Sequence, residues 1–139
     1  MTNPSRIKEL PSWLLSQAGQ RCQRALSAAL ARGGVRTGHY RVLVALADGP
    51  ASQADLGRAA ELDRSDVVAI VHDLVERGAV RRNVDPHDRR RNQVTITPAG
   101  RRLLARLDKL AAGVQHDVLS GLSERERKTL VSLLGKVLS

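Results

Sequence analysis

The sequence predicts a mainly α-helical protein that carries one small β-hairpin. Apolar residues recur at spacings of three and four along most of the 139-residue chain, which is the period of amphipathic helices. One segment departs from this period, because Val94 and Ile96 alternate with Thr95 and Thr97 in the manner of a strand. Glycine, proline and helix-capping residues lie between the segments, so the order of the elements follows from the sequence.

The first two predicted helices lie at residues 10–32 and at about 37–47. Gly33 and Gly34 end the first helix, and the segment Asp48-Gly49-Pro50 ends the second. The inward residues of the second helix are Val42, Leu43 and Leu46. The apolar face of the first helix consists of Leu10, Trp13, Leu14, Ala18, Cys22, Ala25, Leu26, Ala29 and Leu30.

Two short helices follow, and each begins with its own capping pair. Ser52 with Asp55 predicts a helix of barely two turns, and Asp63 with Asp66 predicts another that stops at Gly78. The apolar stripe of the latter consists of Val67, Ile70, Val71 and Leu74. Because only about three residues separate these two helices, they predict a helix-turn-helix.

The remaining segments predict a hairpin and two further helices. Residues 79–82 and 92–97 indicate a strand pair. Thr97 followed by Pro98 starts a helix that reaches about Leu119, and Ser123 with Glu126 starts a last helix that continues to the C-terminus. The order helix, helix, strand, strand is typical of a winged helix-turn-helix, here with helices on both sides of it.

Positive charge is concentrated on the predicted hairpin and its flanks. The net charge of the chain is +9, and residues 77–102 carry eight arginines against two aspartates, which is +6 of that total. A solvated loop is the ordinary explanation of such a run, but its position after a helix-turn-helix favours binding to double-stranded DNA. Trp13 and Tyr40 are the only aromatic residues, so the base-stacking platforms of single-stranded nucleic-acid binders are disfavoured.

Several other classes of protein are disfavoured by the composition. Cys22 is the only cysteine and the histidines His39, His72, His87 and His116 are scattered, so we expect neither a metal site nor a disulfide framework. No phosphate-binding glycine loop, nucleophile elbow or carboxylate pair occurs, so we expect neither catalysis nor a cofactor. Without a long apolar run or a secretory signal, we expect a cytoplasmic protein with no membrane partner.

Four segments of the sequence resemble the MarR family of bacterial transcription regulators. They are LDRSDV at 62–67, LVERG at 74–78, DPHDRRR at 85–91 and VTITPAG at 94–100. The resemblance covers nearly the whole chain and implies a single domain over residues 1–139, with the winged helix-turn-helix DNA-binding lobe at 37–100 and dimerisation helices at 10–32 and 101–139. The sequence departs from the usual helix-turn-helix pattern at two positions. Glu61 stands where the turn glycine is usual, and Gly57 stands where the first helix of the motif usually has alanine.

A homodimer is expected because the terminal helices have apolar stripes that one small domain cannot fully cover. Two-fold symmetry would place two recognition helices about 10 base pairs apart, so we expect a pseudopalindromic operator. The resemblance implies a transcriptional regulator, for which we expect repression, with activation left open. Two alternatives stay open: an architectural protein that binds DNA with little sequence preference, and an interaction module whose terminal helices bind a different protein.

The resemblance assigns DNA contacts to the wing, which is the predicted hairpin with its connecting loop. It implies that Arg90 enters the minor groove, that Asp88 holds the Arg90 guanidinium by a charge-assisted hydrogen bond, and that Arg89 and Arg91 contact phosphates. The recognition helix presents four side chains beside its buried stripe, namely Arg64, Ser65, Asp66 and Val68.

Among these side chains, Arg64 is the best candidate for reading guanine. Ser52 and Gln53, at the start of the preceding helix, are placed to bind a phosphate. Helix capping alone explains Ser52 equally well, and it is the simpler role of Asp66.

Members of the family often respond to small aromatic acids or phenols that bind between the lobe and the dimerisation helices. By this resemblance Trp13, His39, Tyr40 and Arg41 are candidates to line such a crevice, although a core or interface role is the alternative for Trp13 and Tyr40. Cys22 lies on an apolar face, which favours a packed thiol over the redox switch of the peroxide-sensing branch.

Overall fold

A computed structural model describes residues 4–139 and confirms the predicted fold class. The elements are α1 (Pro4–Ile7), α2 (Pro11–Arg32), α3 (Thr37–Leu46), α4 (Gln53–Ala60), α5 (Arg64–Glu76), β1 (Val80–Asn83), β2 (Gln93–Ile96), α6 (Pro98–Val118) and α7 (Glu124–Leu138). A 3₁₀ turn, Arg89–Arg91, lies between the strands. The short helix α1 and this turn were not predicted, because a single turn is too short to show a period.

The hairpin is antiparallel and has a third, very short partner. Val80 pairs with Ile96 at its base and Asn83 with Gln93 at its far end. Ala51 forms an isolated bridge with Val94, in which Val94 N donates to Ala51 O at 2.8 Å and Ala51 N donates to Val94 O at 3.1 Å. This bridge ties the residue just before α4 to the wing.

The core lies between α3, α4, α5, the hairpin and the facing parts of α2 and α6. Its largest fully buried side chains are Leu30, Leu43, Leu46, Leu56, Leu74 and Leu107. The predicted stripe of α5 is buried in full, and α2 packs along α6. The apolar period of the sequence therefore identified the inward faces of α3 and α5 correctly. In α2 only Ala29 and Leu30, at the end of the predicted face, are buried.

The predicted capping residues start their helices, but two of the three pairs are only half formed. Ser52 Oγ accepts from Asp55 N at 3.1 Å, and Asp63 Oδ1 accepts from Asp66 N at 2.8 Å. Among the described residues, the reciprocal bond of a full capping box occurs in only one of these three pairs, at the start of α7, where Ser123 N donates to Glu126 at 2.9 Å. The carboxylate of Asp55 instead pairs with Arg58, because an aspartate is one methylene shorter than the glutamate that reaches back in such a box.

The turn between α4 and α5 contains a strained residue. Glu61 has φ of +54° and ψ of +47°, a left-handed conformation that favours glycine. Within α4, a Cβ on Gly57 would lie 3.2 Å from the carbonyl oxygen of Leu62 and 3.3 Å from Val67. The small residue at position 57 therefore lets this turn and the start of α5 approach α4 closely.

The terminal helices leave much apolar surface uncovered. No residue of α7 is buried, and Val131, Leu133, Val137 and Leu138 are 69%, 53%, 62% and 85% exposed. Leu10, Leu14 and Leu15 near the start of α2 are also exposed. Within residues 4–139, none of the helices has the length and apolar character needed to cross a membrane.

Candidate nucleic-acid interface

The four residues of α5 that the sequence predicted as base contacts lie near the start of this helix and face solvent. Arg64, Ser65, Asp66 and Val68 are all exposed. The carboxylate of Asp63 accepts from the Ser65 hydroxyl at 2.9 Å as well as from Asp66 N. The bond from the Asp66 backbone, followed by that from Ser65, lowers the pKa of Asp63, so this cap is ionised at neutral pH and fixes the first turn of the helix.

A buried histidine fixes the other end of α5 against α3. The ring of His39 is 4% exposed; its Nδ1 accepts from Arg36 N at 3.3 Å, and its Nε2 lies 2.8 Å from Asp73 Oδ2. Because Nδ1 accepts, Nε2 carries the hydrogen and donates to Asp73. Arg77 Nε also donates to this carboxylate at 2.9 Å. Burial raises the pKa of Asp73, but the bonds from His39 and Arg77 outweigh it and lower that pKa.

The loop of the wing is organised by Asp85 and Asn92, two residues that were not among the sequence-predicted site residues. Asp85 Oδ1 accepts from His87 N at 2.9 Å and from Asp88 N at 3.2 Å, while Asp85 N donates to Asn92 Oδ1 at 2.7 Å. Both residue types commonly hold turns through their side chains. Their presence on either side of the arginine run was the available signal for this role.

Arg90 and Asp88 form the contact that the resemblance implied. Asp88 accepts from the backbone N, Nε and Nη2 of Arg90 at 3.0, 3.1 and 3.4 Å. The Arg90 side chain is nevertheless 91% exposed, so its guanidinium is oriented by one carboxylate while its outer edge remains accessible. Arg91 Nη1 lies 3.8 Å from Asp85 Oδ2, and Arg91 Nε lies 3.8 Å from Asp88 Oδ2. Both distances are too long for hydrogen bonds.

Two adjoining grooves connect the wing to the helix-turn-helix. One, of about 330 Å³, lies between the start of α4 and the wing, and its lining includes Ser52, Gln53, Arg82, Arg89 and Asn92. The other, of about 450 Å³, lies between α4 and the start of α5, and its lining includes Gln53, Arg58 and Arg64. Because Gln53 borders both grooves, the structure brings Ser52, Gln53, Arg64 and Arg89 onto one surface. Arg82 and Asn92 belong to this surface too, although they were not predicted for it.

The four residues considered for an effector crevice have separate environments. Tyr40 donates to Asp108 Oδ1 on α6 at 2.7 Å, and Arg41 Nη1 donates to Ala60 O at 3.4 Å. Trp13 is partly exposed on α2. His39 borders an open cavity together with Arg36, Asp73 and Arg77, and the other three residues do not line that cavity. Burial and the bond to Asp108 raise the pKa of Tyr40 to about 12.

Metal-binding geometry is not found in the described part of the chain. Across residues 4–139, no three or more His, Cys, Asp or Glu side chains are grouped closely enough to hold a metal ion. Cys22 is a partly buried free thiol on α2.

Sequence comparison supports the relation that the motifs indicated. Residues 33–91 match the family model described as MarR family. A protein of Thauera aromatica named for transcriptional regulation of the hcr operon is 38% identical over 105 residues, which are 75% of this chain and 63% of that protein. The chain thus aligns with less than two thirds of that relative. The transcriptional regulator HosA of Escherichia coli is 32% identical over 101 residues, which are 72% of this chain and 75% of HosA.

Solved structures share the fold over nearly the whole chain. The transcriptional repressor CouR, bound to a 23-mer DNA duplex, has 26% identity and a TM-score of 0.84, covering 100% of this chain and 98% of CouR. BpsR of Bordetella bronchiseptica, described with regulation of its DNA binding by 6-hydroxynicotinic acid, has 31% identity and a TM-score of 0.79, covering 91% of this chain and 96% of BpsR.

Proposed function

The chain belongs to the MarR family of transcriptional regulators, and from this membership we propose that it is a homodimeric repressor of a pseudopalindromic operator. The observation that carries the proposal is the wing, where Asp88 orients the exposed guanidinium of Arg90. That geometry keeps a cation extended from the protein, which suits the narrow and strongly negative minor groove of A·T-rich DNA. CouR, a repressor with the same fold in a DNA complex, supports the proposal.

Phosphate contacts come from the groove between α4 and the wing. Ser52 and Gln53 provide the start of a helix, where backbone N–H groups and the helix dipole favour an anion. Arg89 borders the same groove, and Arg91 is exposed nearby. These groups fix the position of the protein on the duplex and carry little sequence information.

Base contacts come from α5, which enters the major groove with its first turns. Arg64 is exposed at the first position of this helix, and its planar fork matches the O6 and N7 acceptors of guanine. Asp66 gives the helix cap only its backbone N–H, so its exposed carboxylate is placed to accept from the amino group of a cytosine. At the far end of α5, Asp73 and Glu76 are acidic and would repel phosphate, so the N-terminal half is the part that approaches DNA.

Dimerisation uses the helices outside the lobe at residues 37–100. The uncovered apolar residues of α7 and of the start of α2 are the surface that a second copy would bury. Residues 10–32 and 101–139 are assigned to this role, so the interface and the DNA-binding lobe occupy different parts of the chain. A two-fold axis between two copies then sets the spacing of the two α5 helices.

A small aromatic acid is the proposed signal that releases DNA. The description of BpsR, whose DNA binding is regulated by 6-hydroxynicotinic acid, supports this class of effector. Tyr40 and Arg41 lie on α3 beside α6 and α4 respectively, and Trp13 lies on α2. Both ring nitrogens of His39 are engaged inside the fold, so His39 would contact a ligand only by giving up one of these bonds.

The central test is fluorescence anisotropy with the purified protein, its own upstream intergenic DNA and a shuffled duplex of equal length, at two salt concentrations. A preference of about a thousandfold for the native duplex at near-physiological salt is expected for a specific regulator. Equal and steeply salt-dependent binding would favour an architectural protein or an operator elsewhere, and selection from a random duplex pool separates these two cases. A monomer at micromolar concentration in a mass measurement would contradict the dimer.

Two arginine variants separate the roles of the wing and the recognition helix. Arg90→Ala is expected to weaken binding to all duplexes and to flatten the salt dependence, because it removes a cation from the groove without removing a base contact. Arg64→Ala should cost about 1–3 kcal/mol and relax selectivity at one base position. Arg24→Ala, at an exposed position on α2, removes the same charge outside the DNA-binding lobe. Because α2 is assigned to dimerisation, this variant serves as the matched control once a mass measurement shows the same oligomeric state as the wild type. If both test variants lose the same affinity for every duplex, whatever its sequence, Arg64 does not recognise a base.

A further inference from the structure

The outer face of α5 has an apolar centre. Side chains at spacings of three, four and seven residues lie together on a helix surface. The outer face of α5 therefore consists of four residues, all of them exposed: Ser65, Val68, Ala69 and His72. Val68 is 44% exposed, although it lies beside the buried stripe of the same helix. It is separate from the uncovered apolar residues of α2 and α7, which belong to the terminal helices.

Two of the polar neighbours of Val68 have contacts of their own, while a third, Arg64, lies four residues before it at the start of α5. The Ser65 hydroxyl donates to Asp63 at 2.9 Å, and His72 Nε2 lies 3.2 Å from Glu76 Oε1. The middle of this face therefore offers methyl groups rather than hydrogen-bonding groups to an approaching molecule. Helix stability does not explain the valine, because a β-branched residue is a weaker helix former than most polar residues at an exposed position.

We propose that Val68, together with Ala69, recognises a thymine in each half of the operator through the C5-methyl group of the base. The inference rests on the proposed function, in which α5 lies in the major groove. Thymine is the one base that presents a methyl group there, and apolar side chains are its usual partners. A cytosine at the same position would place its N4 amino group against methyl groups. The amino group would then lose its hydrogen bonds to water and find no acceptor on the protein, which disfavours cytosine.

The position of this thymine relative to the Arg64 contact follows from helix geometry. Val68 lies four residues after Arg64, which is about 6 Å along the helix axis. Successive base pairs are about 3.4 Å apart. The thymine is therefore expected within about two base pairs of the guanine that Arg64 reads, and once in each half-site of a symmetric operator.

Replacement of thymine by uracil tests the proposal, because it removes only the methyl group. The duplex is the tightest binder selected by the wild-type protein from a random pool, and each thymine is replaced in turn, symmetrically in both half-sites. Anisotropy is measured for the wild type, for Val68→Ala and for Val44→Ala. Val44 is the matched control, because it is a valine of α3 with 47% exposure.

We expect uracil at one position to weaken wild-type binding about fourfold per half-site, the effect of losing one buried methyl contact. Val68→Ala should lose most of the preference for thymine over uracil, because only the smaller methyl group at position 68 and that of Ala69 remain, whereas Val44→Ala should discriminate as the wild type does. Specific binding by the wild type with no uracil-sensitive position, or full sensitivity in Val68→Ala, overturns the inference and leaves the proposed function standing. Selection that enriches no sequence overturns the proposed function, and the inference with it.

Discussion

Replacement of Gly100 by alanine should strongly destabilise the protein, because α6 begins against the backbone at the base of the wing. A Cβ at position 100 would overlap the carbonyl oxygen of Ala79, and would lie 2.9 Å from its carbonyl carbon and 2.8 Å from Cγ1 of Ile96. The helix start cannot move away easily. Thr97 N donates to Ala79 O at 3.0 Å, Thr97 Oγ1 donates to Gly78 O at 2.6 Å, and Gly100 N donates to Thr97 Oγ1 at 3.0 Å.

The size of the effect follows from two opposing contributions. Alanine in place of glycine within a helix is favourable by up to about 1 kcal/mol. Overpacking in a well-packed site typically costs about 1–3 kcal/mol and sometimes more. Here the obstruction includes the backbone of Ala79, which two hydrogen bonds from Thr97 to residues 78 and 79 hold against the helix start. We therefore expect Gly100→Ala to lower the free energy of unfolding by at least about 2 kcal/mol, a large part of the usual total of about 5–15 kcal/mol.

Gly113→Ala is the matched control, because it makes the same change in the same helix. A Cβ there would meet no atom within 4 Å, so this variant should gain about 0.5–1 kcal/mol. Urea unfolding followed by circular dichroism measures both free energies at one protein concentration, which matters if the protein is a dimer. If Gly100→Ala unfolds at the same urea concentration as Gly113→Ala, the close packing inferred at the wing base is refuted.

Two further predictions concern the helix-turn-helix turn and the contact between α3 and α6. Glu61→Gly should raise the free energy of unfolding by about 1 kcal/mol, since glycine relieves the left-handed conformation at φ of +54°; an unchanged urea midpoint would contradict this. Tyr40 is the chain's single tyrosine, so its titration can be followed by absorbance, and its pKa of about 12 should fall towards the ordinary value in Asp108→Asn. Because the folded-state pKa is raised above 10.0, the stabilisation from this group is fully present below pH 10.0 and is lost as the pH rises through about 12; a wild-type pKa near 10.0 in the folded protein would refute the contact.

Local order could be predicted from the sequence where it depends on a few adjacent residues. Pro98 after Thr97 marked the start of α6, and the capping residues Ser52, Asp63 and Ser123 marked three other helices, because each cap needs only the next three residues. The contact between Asp88 and Arg90 is equally local, and the family resemblance assigned it in advance.

The contacts that arrange these elements in space could not be predicted in the same way. The bridge of Ala51 to Val94 involves one residue in a connection, which has no period to detect. The bond from His39 to Asp73 joins residues 34 apart in sequence, and that from Tyr40 to Asp108 joins residues 68 apart. Such pairs depend on how the helices pack, and the residue types alone allow many other partners.

Two of these long-range contacts begin at adjacent residues of α3 and run in different directions. His39 binds Asp73 near the end of α5, while Tyr40 binds Asp108 in α6, one of the helices assigned to dimerisation. The position of α5 relative to α6 is therefore set partly through α3. A molecule that binds beside α3 can change DNA affinity only if it favours one arrangement of these helices over another, and a change in that arrangement must alter the His39 bond, the Tyr40 bond or the packing around them. The tyrosine absorbance of Tyr40 thus reports on one of the contacts that such a change in arrangement would alter.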